Sequence, residues 1–245
     1  MALADWVAEP MVPPASDTAT PPCNPPRSRT LTPGSFTARL PILVVGVLVV
    51  PAAMILDRWC WTEFGDPTAS RSEFQRMVRI GGYLPFWGII SAMLWLATRR
   101  SNLEGRGTRR GLFVVSSAAV GTLSAEALKW LVGRERPGDL EPSYRFRPLL
   151  ERGLTTEDLG FPSSHATVAF AGFTALAIVF PRARPLCVAL AVACALSRVL
   201  RHAHYLSDVA AGAVLGSVIA LATVRVFTRL GFDPRDGGAV RARCG

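Results

Sequence analysis

From Leu40 onward the chain is a succession of apolar blocks separated by short charged stretches. The uncharged blocks run over 40–56, 80–98, 111–125 (continuing past Glu126 to Leu128), 166–181, 185–197 and 209–224. A hydrocarbon core takes about 20 helical residues, with a range of about 17–25, so the first two blocks suffice and the other four are short. One short block alone reads more readily as a buried core helix. Six in close succession, with almost no amphipathic periodicity, point instead to a bundle in a membrane. Open sheets are excluded there, because unpaired backbone groups are not tolerated in lipid. The pattern predicts an all-α fold with six transmembrane helices.

Residues 1–38 have a different texture. Pro10, Pro13, Pro14, Pro21, Pro22, Pro25, Pro26 and Pro33 stand among Ser, Thr and Ala, a composition that neither holds a helix nor buries a core. It is not a signal peptide, since the first apolar run begins only at Leu40 and no small-residue cleavage site follows a short core. The expected organisation is a disordered cytoplasmic tail over 1–38, a six-helix domain over 39–230, and a short basic tail over 231–245.

Composition agrees with a membrane protein. Half of the residues are hydrophobic and 18% are charged, against about 25% in soluble domains. The net charge is +9, and Lys129 is the single lysine among 27 basic residues. Nucleic-acid binding would need basic clusters interleaved with stacking aromatics; here the arginines punctuate apolar runs, so that class is set aside. Cysteines at 23, 60, 187, 194 and 244 form neither a disulfide framework nor a C-x-x-C metal spacing. With six spans both termini share a side. That side carries 15 basic residues, and the other carries 9 once Lys129, Arg136 and Arg198 are assigned to a site. The bias places the termini in the cytoplasm. Trp59, Trp61 and Phe64 suit an outer interfacial belt. Gly212 and Gly216 form a G-x-x-x-G, read first as close packing within the chain and second as the face of a possible homodimer.

The unusual polar residues fall at corresponding block ends. Lys129 closes the third span, Ser163 and His165 open the fourth, Arg198 closes the fifth, and His204 and Asp208 open the sixth. Alternating topology brings these ends, with Arg136, to one membrane face. Ionisable groups at membrane depth mark a functional site by default. On a helical turn, the i, i+4 spacing lets Asp208 reach the His204 imidazole, fixing its tautomer and freeing the other ring nitrogen as a nucleophile. Lys129, Arg136 and Arg198 supply three cations suited to phosphate oxygens. The Pro162-Ser163-Ser164-His165 turn adds a hydroxyl and backbone N–H donors at a helix N-terminus, and His165 is the general acid for the leaving oxygen. The combined chemistry is phosphoryl transfer through a phosphohistidine. A competing metal reading of His202-x-His204-x-x-x-Asp208 has plausible ligand spacing, but three neighbouring cations and the lack of a carboxylate cluster oppose it. His202 is taken as a loop residue.

Three motifs emerge: K-x6-R-P from Lys129 to Pro137, P-S-S-H over 162–165, and S-R-x5-H-x3-D from Ser197 to Asp208. Together they resemble the three-part signature of the type 2 phosphatidic acid phosphatase superfamily, in its membrane-embedded lipid phosphatase branch. Soluble members of that superfamily lack this hydropathy. The resemblance covers 129–208 by motif and 40–229 by layout. It implies that His204 attacks phosphorus, Asp208 orients it, and His165 protonates the departing alcohol. Lys129, Arg136, Ser163, Ser164 through its N–H, and Arg198 are implied to hold the phosphate, without a metal or other cofactor. Ser164 stands where the family usually has Gly, and its backbone N–H survives that change.

The expected protein is an integral plasma-membrane phosphatase acting at the extracytoplasmic face. Its expected substrate is a lipid phosphomonoester or polyprenyl diphosphate; phosphatidic acid and phosphatidylglycerol phosphate are included. A lipid-dependent phosphotransferase using the same site, and a non-catalytic membrane protein on this fold, are the alternatives. Topology is checked by cysteine labelling in a background lacking Cys60. A cysteine placed within 138–150 is expected to react with an impermeant thiol reagent on intact cells, and one within 102–108 is not. The reverse pattern would put the site on the cytoplasmic side.

Overall fold

The computed structural model describes residues 40–64, 73–98, 104–138, 143–151 and 155–235, all within one compact unit, Phe36–Gly245. The expected tail over 1–38 and the end of the chain beyond 235 lie outside the described residues. Among the described residues the fold is all-helical: α1 (Leu40–Phe64), α2 (Glu73–Arg79), α3 (Leu84–Thr98), α4 (Glu104–Val132), α5 (Ser164–Val179), α6 (Arg184–Leu200) and α7 (Leu206–Arg229). The described residues of the long α4–α5 connection include a 3-10 turn, Leu149–Glu151, and two isolated bridges, Arg134 with Phe146 and Glu135 with Leu159.

Each of the six apolar blocks coincides with a helix, but the count of six spans is not met by length and composition. Among the described residues three helical stretches are long and apolar enough to cross a membrane: Gly105–Val132, Pro181–Leu200 and Leu206–Arg229. A fourth is reached if Gln75–Gly82 and Leu84–Thr98, which meet at 76°, form one broken span. The 16 residues of α5 extend about 24 Å at 1.5 Å per residue, short of the roughly 30 Å hydrocarbon thickness.

That short helix is the centre of the bundle and packs against α4, α6 and α7. Its sequence is apolar all round, and nine of its residues, including Ala166, Ala169, Gly172 and Ala175, are buried. The small side chains let neighbours come close. A Cβ built on Gly216 of α7 would lie 2.2 Å from the Thr167 carbonyl oxygen, and one on Gly212 would lie 2.7 Å from that of Ser163. The G-x-x-x-G face is therefore occupied by α5 of the same chain. On α5 itself, Gly172 accommodates the fully buried Trp87, whose indole N–H donates to Gly81 O at 2.9 Å. On α6 the small residues Cys187, Ala191, Cys194 and Ala195 face inward, while Leu186, Val188, Val192 and Leu196 are exposed. Large apolar side chains outside and small ones inside are what a bundle solvated by lipid requires.

These contacts fix how the ends of α4, α5, α6 and α7 meet, and so where the polar residues converge. Gly216→Ala should force α5 and α7 apart, with a destabilisation of about 1–3 kcal/mol and a lower unfolding midpoint in detergent. Gly88→Ala, where a Cβ meets nothing within 4 Å, should leave that midpoint unchanged or raise it. Equal midpoints for the two variants would contradict the close packing of α5 on α7.

Candidate active site

Four helix ends and one loop supply the polar residues. Lys129 lies in the last turn of α4 and Arg198 in the last turn of α6. Arg136 follows α4, and Ser163 is the N-cap of α5, with Ser164 and His165 its first two residues. His204 stands in the α6–α7 turn, and Asp208 in the first turn of α7. The two helix starts are clipped together by Ser163 N–H, which donates to the Asp208 backbone carbonyl at 3.0 Å. Lys129, Ser163, Arg198, His204 and Asp208 are all buried.

Several of these groups have no hydrogen-bond partner within the protein: Arg136 Nε, Ser163 Oγ, His165 Nε2, and Nε and Nη1 of Arg198. Buried polar atoms are normally satisfied, so a cluster of orphaned ones calls for a ligand that supplies the missing partners. Lys129 donates one long bond, to Glu126 Oε1 at 3.5 Å, its ion-pair partner among the described residues, and the Glu126 carboxylate is also engaged by Ser164 Oγ at 2.6 Å and by the Thr156 hydroxyl. The Ser164 side chain is thus turned to Glu126, leaving its N–H at the helix start. An anion with several oxygens fits this arrangement of donors.

The relation between His204 and Asp208 differs from the expected helical turn. Helix α7 begins only at Leu206, and the N-cap Tyr205 has extended backbone angles, φ −69° and ψ 158°. His204 therefore precedes the helix, and its Nδ1 lies 3.5 Å from Asp208 Oδ2 without making a hydrogen bond. Asp208 Oδ2 instead accepts the Tyr205 N–H at 2.9 Å. Burial holds the His204 imidazole well below the usual histidine range, reinforced by the charges of Arg198, Arg136 and Lys129 and opposed by a hydrogen bond to the Gly160 backbone. The ring is neutral at pH 7, with a lone pair available. A Cβ on Gly160 would crowd that place, standing 3.1 Å from Asp208 Oδ2. His165 rests with its ring edge-on to Tyr83, centroids 4.8 Å apart, and above Gly82, where a Cβ would come within 2.7 Å of His165 Cδ2.

Sequence reasoning missed the residue that holds Asp208. Arg134 Nη2 lies 2.6 Å from Asp208 Oδ1, a close ion pair whose angle falls outside hydrogen-bond geometry. The same nitrogen donates to Ser207 Oγ at 2.7 Å and lies 3.7 Å from Asp57 Oδ2. Asp57 brings α1 into the network: it accepts Ser207 N–H and the Tyr144 hydroxyl, each at 2.7 Å, and also the Ser207 hydroxyl. Burial and the bond to Asp57 raise the Tyr144 pKa, so the phenol stays a donor. The guanidinium of Arg134 is enclosed by Tyr144, Tyr205 and Phe161, with ring centroids at 4.6, 4.9 and 5.2 Å. The available signal was Asp57, an ionisable residue that ends a 17-residue apolar run. His202 is not part of this cluster. Its ring stacks on Trp61 at 4.6 Å and its Nε2 lies 3.1 Å from the Trp61 carbonyl oxygen.

An apolar helical bundle carrying a buried, cation-lined pocket with two histidines and an unmet demand for an oxyanion is the class that fold and site define. The sequence family follows: the PAP2 superfamily pattern matches residues 110–232, and the chain belongs to that superfamily. It is 35% identical over 123 residues to a lipid A 1-phosphatase of Rhizobium johnstonii, covering 49% of each protein, so the chain spans about half the length of that relative. It is 34% identical over 208 residues to the decaprenylphosphoryl-5-phosphoribose phosphatase of Mycobacterium tuberculosis, covering 84% of this chain and 97% of that protein. A transmembrane PAP2 type phosphatidylglycerolphosphate phosphatase from Bacillus subtilis shares the fold, with a TM-score of 0.52 and 18% identity over 80% of this chain and 96% of that one.

Removing one partner of a buried ion pair costs about 3–5 kcal/mol, because the remaining charge is left uncompensated. Arg134→Leu should therefore lower the unfolding midpoint in detergent markedly. Arg76→Leu, which breaks an exposed 3.0 Å pair with Glu73, should cost no more than about 1 kcal/mol of stability and leave the midpoint nearly unchanged. Equal small shifts in a denaturation assay would contradict a structural role for the Arg134 network.

Proposed function

We propose that this chain is an integral membrane lipid phosphate phosphatase that cleaves a phosphomonoester or diphosphate from an amphiphile by way of a phosphohistidine. The observation that carries the reading is the cluster of unpartnered donors on Arg136, Ser163 and Arg198 around the neutral His204, with His165 beside them. The phosphorylated lipids in the names of the two relatives above support an amphiphilic substrate.

In the proposed reaction Lys129, Arg136, Arg198, the Ser163 hydroxyl and the Ser164 N–H hold the non-bridging oxygens. Because the Nδ1 edge of His204 faces Asp208, Nε2 is the attacking atom. It forms a bond to phosphorus as the bond to the leaving oxygen breaks, and that oxygen takes a proton from His165. Water then attacks the phosphohistidine, giving its proton to His165, and releases inorganic phosphate with His204 restored. Asp208, itself held by Arg134 and the Tyr205 N–H, keeps the imidazole in place. The cations stabilise the charge that develops on the equatorial oxygens, and no step requires a metal. Six spans, cytoplasmic termini and a site at the extracytoplasmic face complete the reading.

The test is phosphate release by the purified protein across a panel of lipid phosphates and diphosphates. Release should persist in EDTA and be inhibited by vanadate, and His204→Asn should remove it. Asp208→Asn should leave a small residual rate, and the double variant should match His204→Asn alone, since residues acting as a unit are not additive. Robust release by His204→Asn, or loss on chelation restored by Mg²⁺ or Zn²⁺, would overturn the mechanism.

A further inference from the structure

Two arginines that are not among the fixed positions of the three motifs lie beside the site and are used by nothing described so far. Arg79 ends α2, and Arg201 directly follows α6, one helical turn beyond Arg198. The Nε atoms of both are buried without a hydrogen-bond partner. Among the described residues no carboxylate forms an ion pair with either. The end of α2 packs on α6, with the Arg79 carbonyl oxygen 4.0 Å from Cys194 Sγ, two turns before Arg201, and Arg79 is the charge that acts most strongly on Arg201. Two guanidinium groups held together with no counter-charge repel each other, and an anion between them removes the repulsion and supplies the missing acceptors.

Their position relative to the two histidines is specific. The permanent cations acting on His165 are Arg198, Arg79 and Arg136, in that order. Those acting on His204 are Arg198, Arg136 and Lys129. Arg79 is therefore on the His165 side and Lys129 on the His204 side. Contact geometry agrees: the Arg79 guanidinium lies 5.5 Å from the Tyr83 ring centroid, and that ring meets His165 edge-on. Beside the same cations, Met77 and Ile80 present exposed apolar surface at the bend between α2 and α3, where a lipid chain can lie.

We propose that Arg79 and Arg201 form a second anion subsite on the leaving-group side of the pocket, which selects substrates whose leaving group itself carries a phosphate. The proposal rests on the reading of His165 as the acid that serves the leaving oxygen. Once that oxygen faces His165, whatever it is attached to extends towards Arg79 and Arg201. A second phosphate there accepts from their Nε–H groups, whether it is joined directly to the leaving oxygen, as in a diphosphate, or set further off as a phosphodiester. A neutral leaving group such as diacylglycerol leaves both arginines unpaired.

The experiment compares kcat/KM of wild type, Arg79→Gln and Arg201→Gln on three substrates in mixed micelles. Phosphatidic acid has no second phosphate, a polyprenyl diphosphate has one on the leaving oxygen, and phosphatidylglycerol phosphate has one as a diester. Wild type should favour at least one of the latter two over phosphatidic acid by tenfold or more, and each variant should lose at least fivefold of that preference. Loss confined to the diphosphate places the second phosphate next to the leaving oxygen. Loss confined to the diester places it further away, and either result supports the subsite. Equal losses on all three substrates, or no loss on any, would overturn the subsite while leaving the phosphatase reading intact. Release from none of the three by wild type would remove the proposed function and the subsite with it.

Discussion

The ion pair between Arg134 and Asp208 is the contact on which the arrangement of the site depends. A guanidinium at 2% exposure is surrounded by three aromatic rings and two carboxylates that belong to different helices. Taking those charges out of water is unfavourable, and only close pairing compensates it. The constraint is therefore geometric: Asp57 of α1, the loop after α4, and the start of α7 must meet at one point. Ser207 ties the same three together, accepting from Arg134 and donating to Asp57. With the start of α7 fixed, the Asp208 backbone carbonyl accepts Ser163 N–H and positions the N-cap of α5. The two histidines inherit their separation from that junction.

Close approach of α5 and α7 is the second condition. Gly212 and Gly216 bring the α7 backbone onto Ser163 and Thr167, which carries the Ser163 hydroxyl and the α5 N-terminus to the level of His204. A wider helix–helix spacing would leave the donors of Arg136, Ser163 and Arg198 unable to converge on one anion. The orphaned state of those donors follows from the same packing, because among the described residues no carboxylate forms an ion pair with Arg136 or Arg198. Glu126, the nearest acid to Lys129, is occupied by the Ser164 and Thr156 hydroxyls. A pocket whose cations are held apart from protein anions keeps its affinity for a phosphate.

Much of this was legible from residue order. Apolar blocks and helices coincide because in a lipid-solvated bundle hydropathy and helix formation are imposed by the same requirement, satisfaction of every backbone group within the segment. The convergence of Lys129, His165, Arg198, His204 and Asp208 followed from alternating helix direction alone. Helix length among the described residues does not confirm the count of six spans, because α5 is short and α3 is preceded by a bent partner rather than by a straight continuation. The relation of His204 to Asp208 was drawn as a helical turn, whereas the helix starts after Tyr205 and the carboxylate is committed to Arg134 and a backbone N–H. Asp57 and Ser207 are 150 positions apart, and no periodicity reports a pairing of that range. Arg79 and Arg201 were passed over for a related reason: each stands next to apolar sequence as one more basic residue, and only the tertiary fold places them together beside His165.

In the proposed mechanism the phosphoryl group passes through His204. The most direct measurement is trapping of the covalent enzyme: turnover of a radiolabelled lipid phosphate, rapid quenching in alkali, and peptide mapping of the denatured chain. A phosphohistidine is stable in alkali and labile in acid, so label retained in alkali on the peptide containing His204, and released by acid, is the predicted result. Hydrolysis at full rate with no label on that peptide, or with label on a different residue, would contradict it.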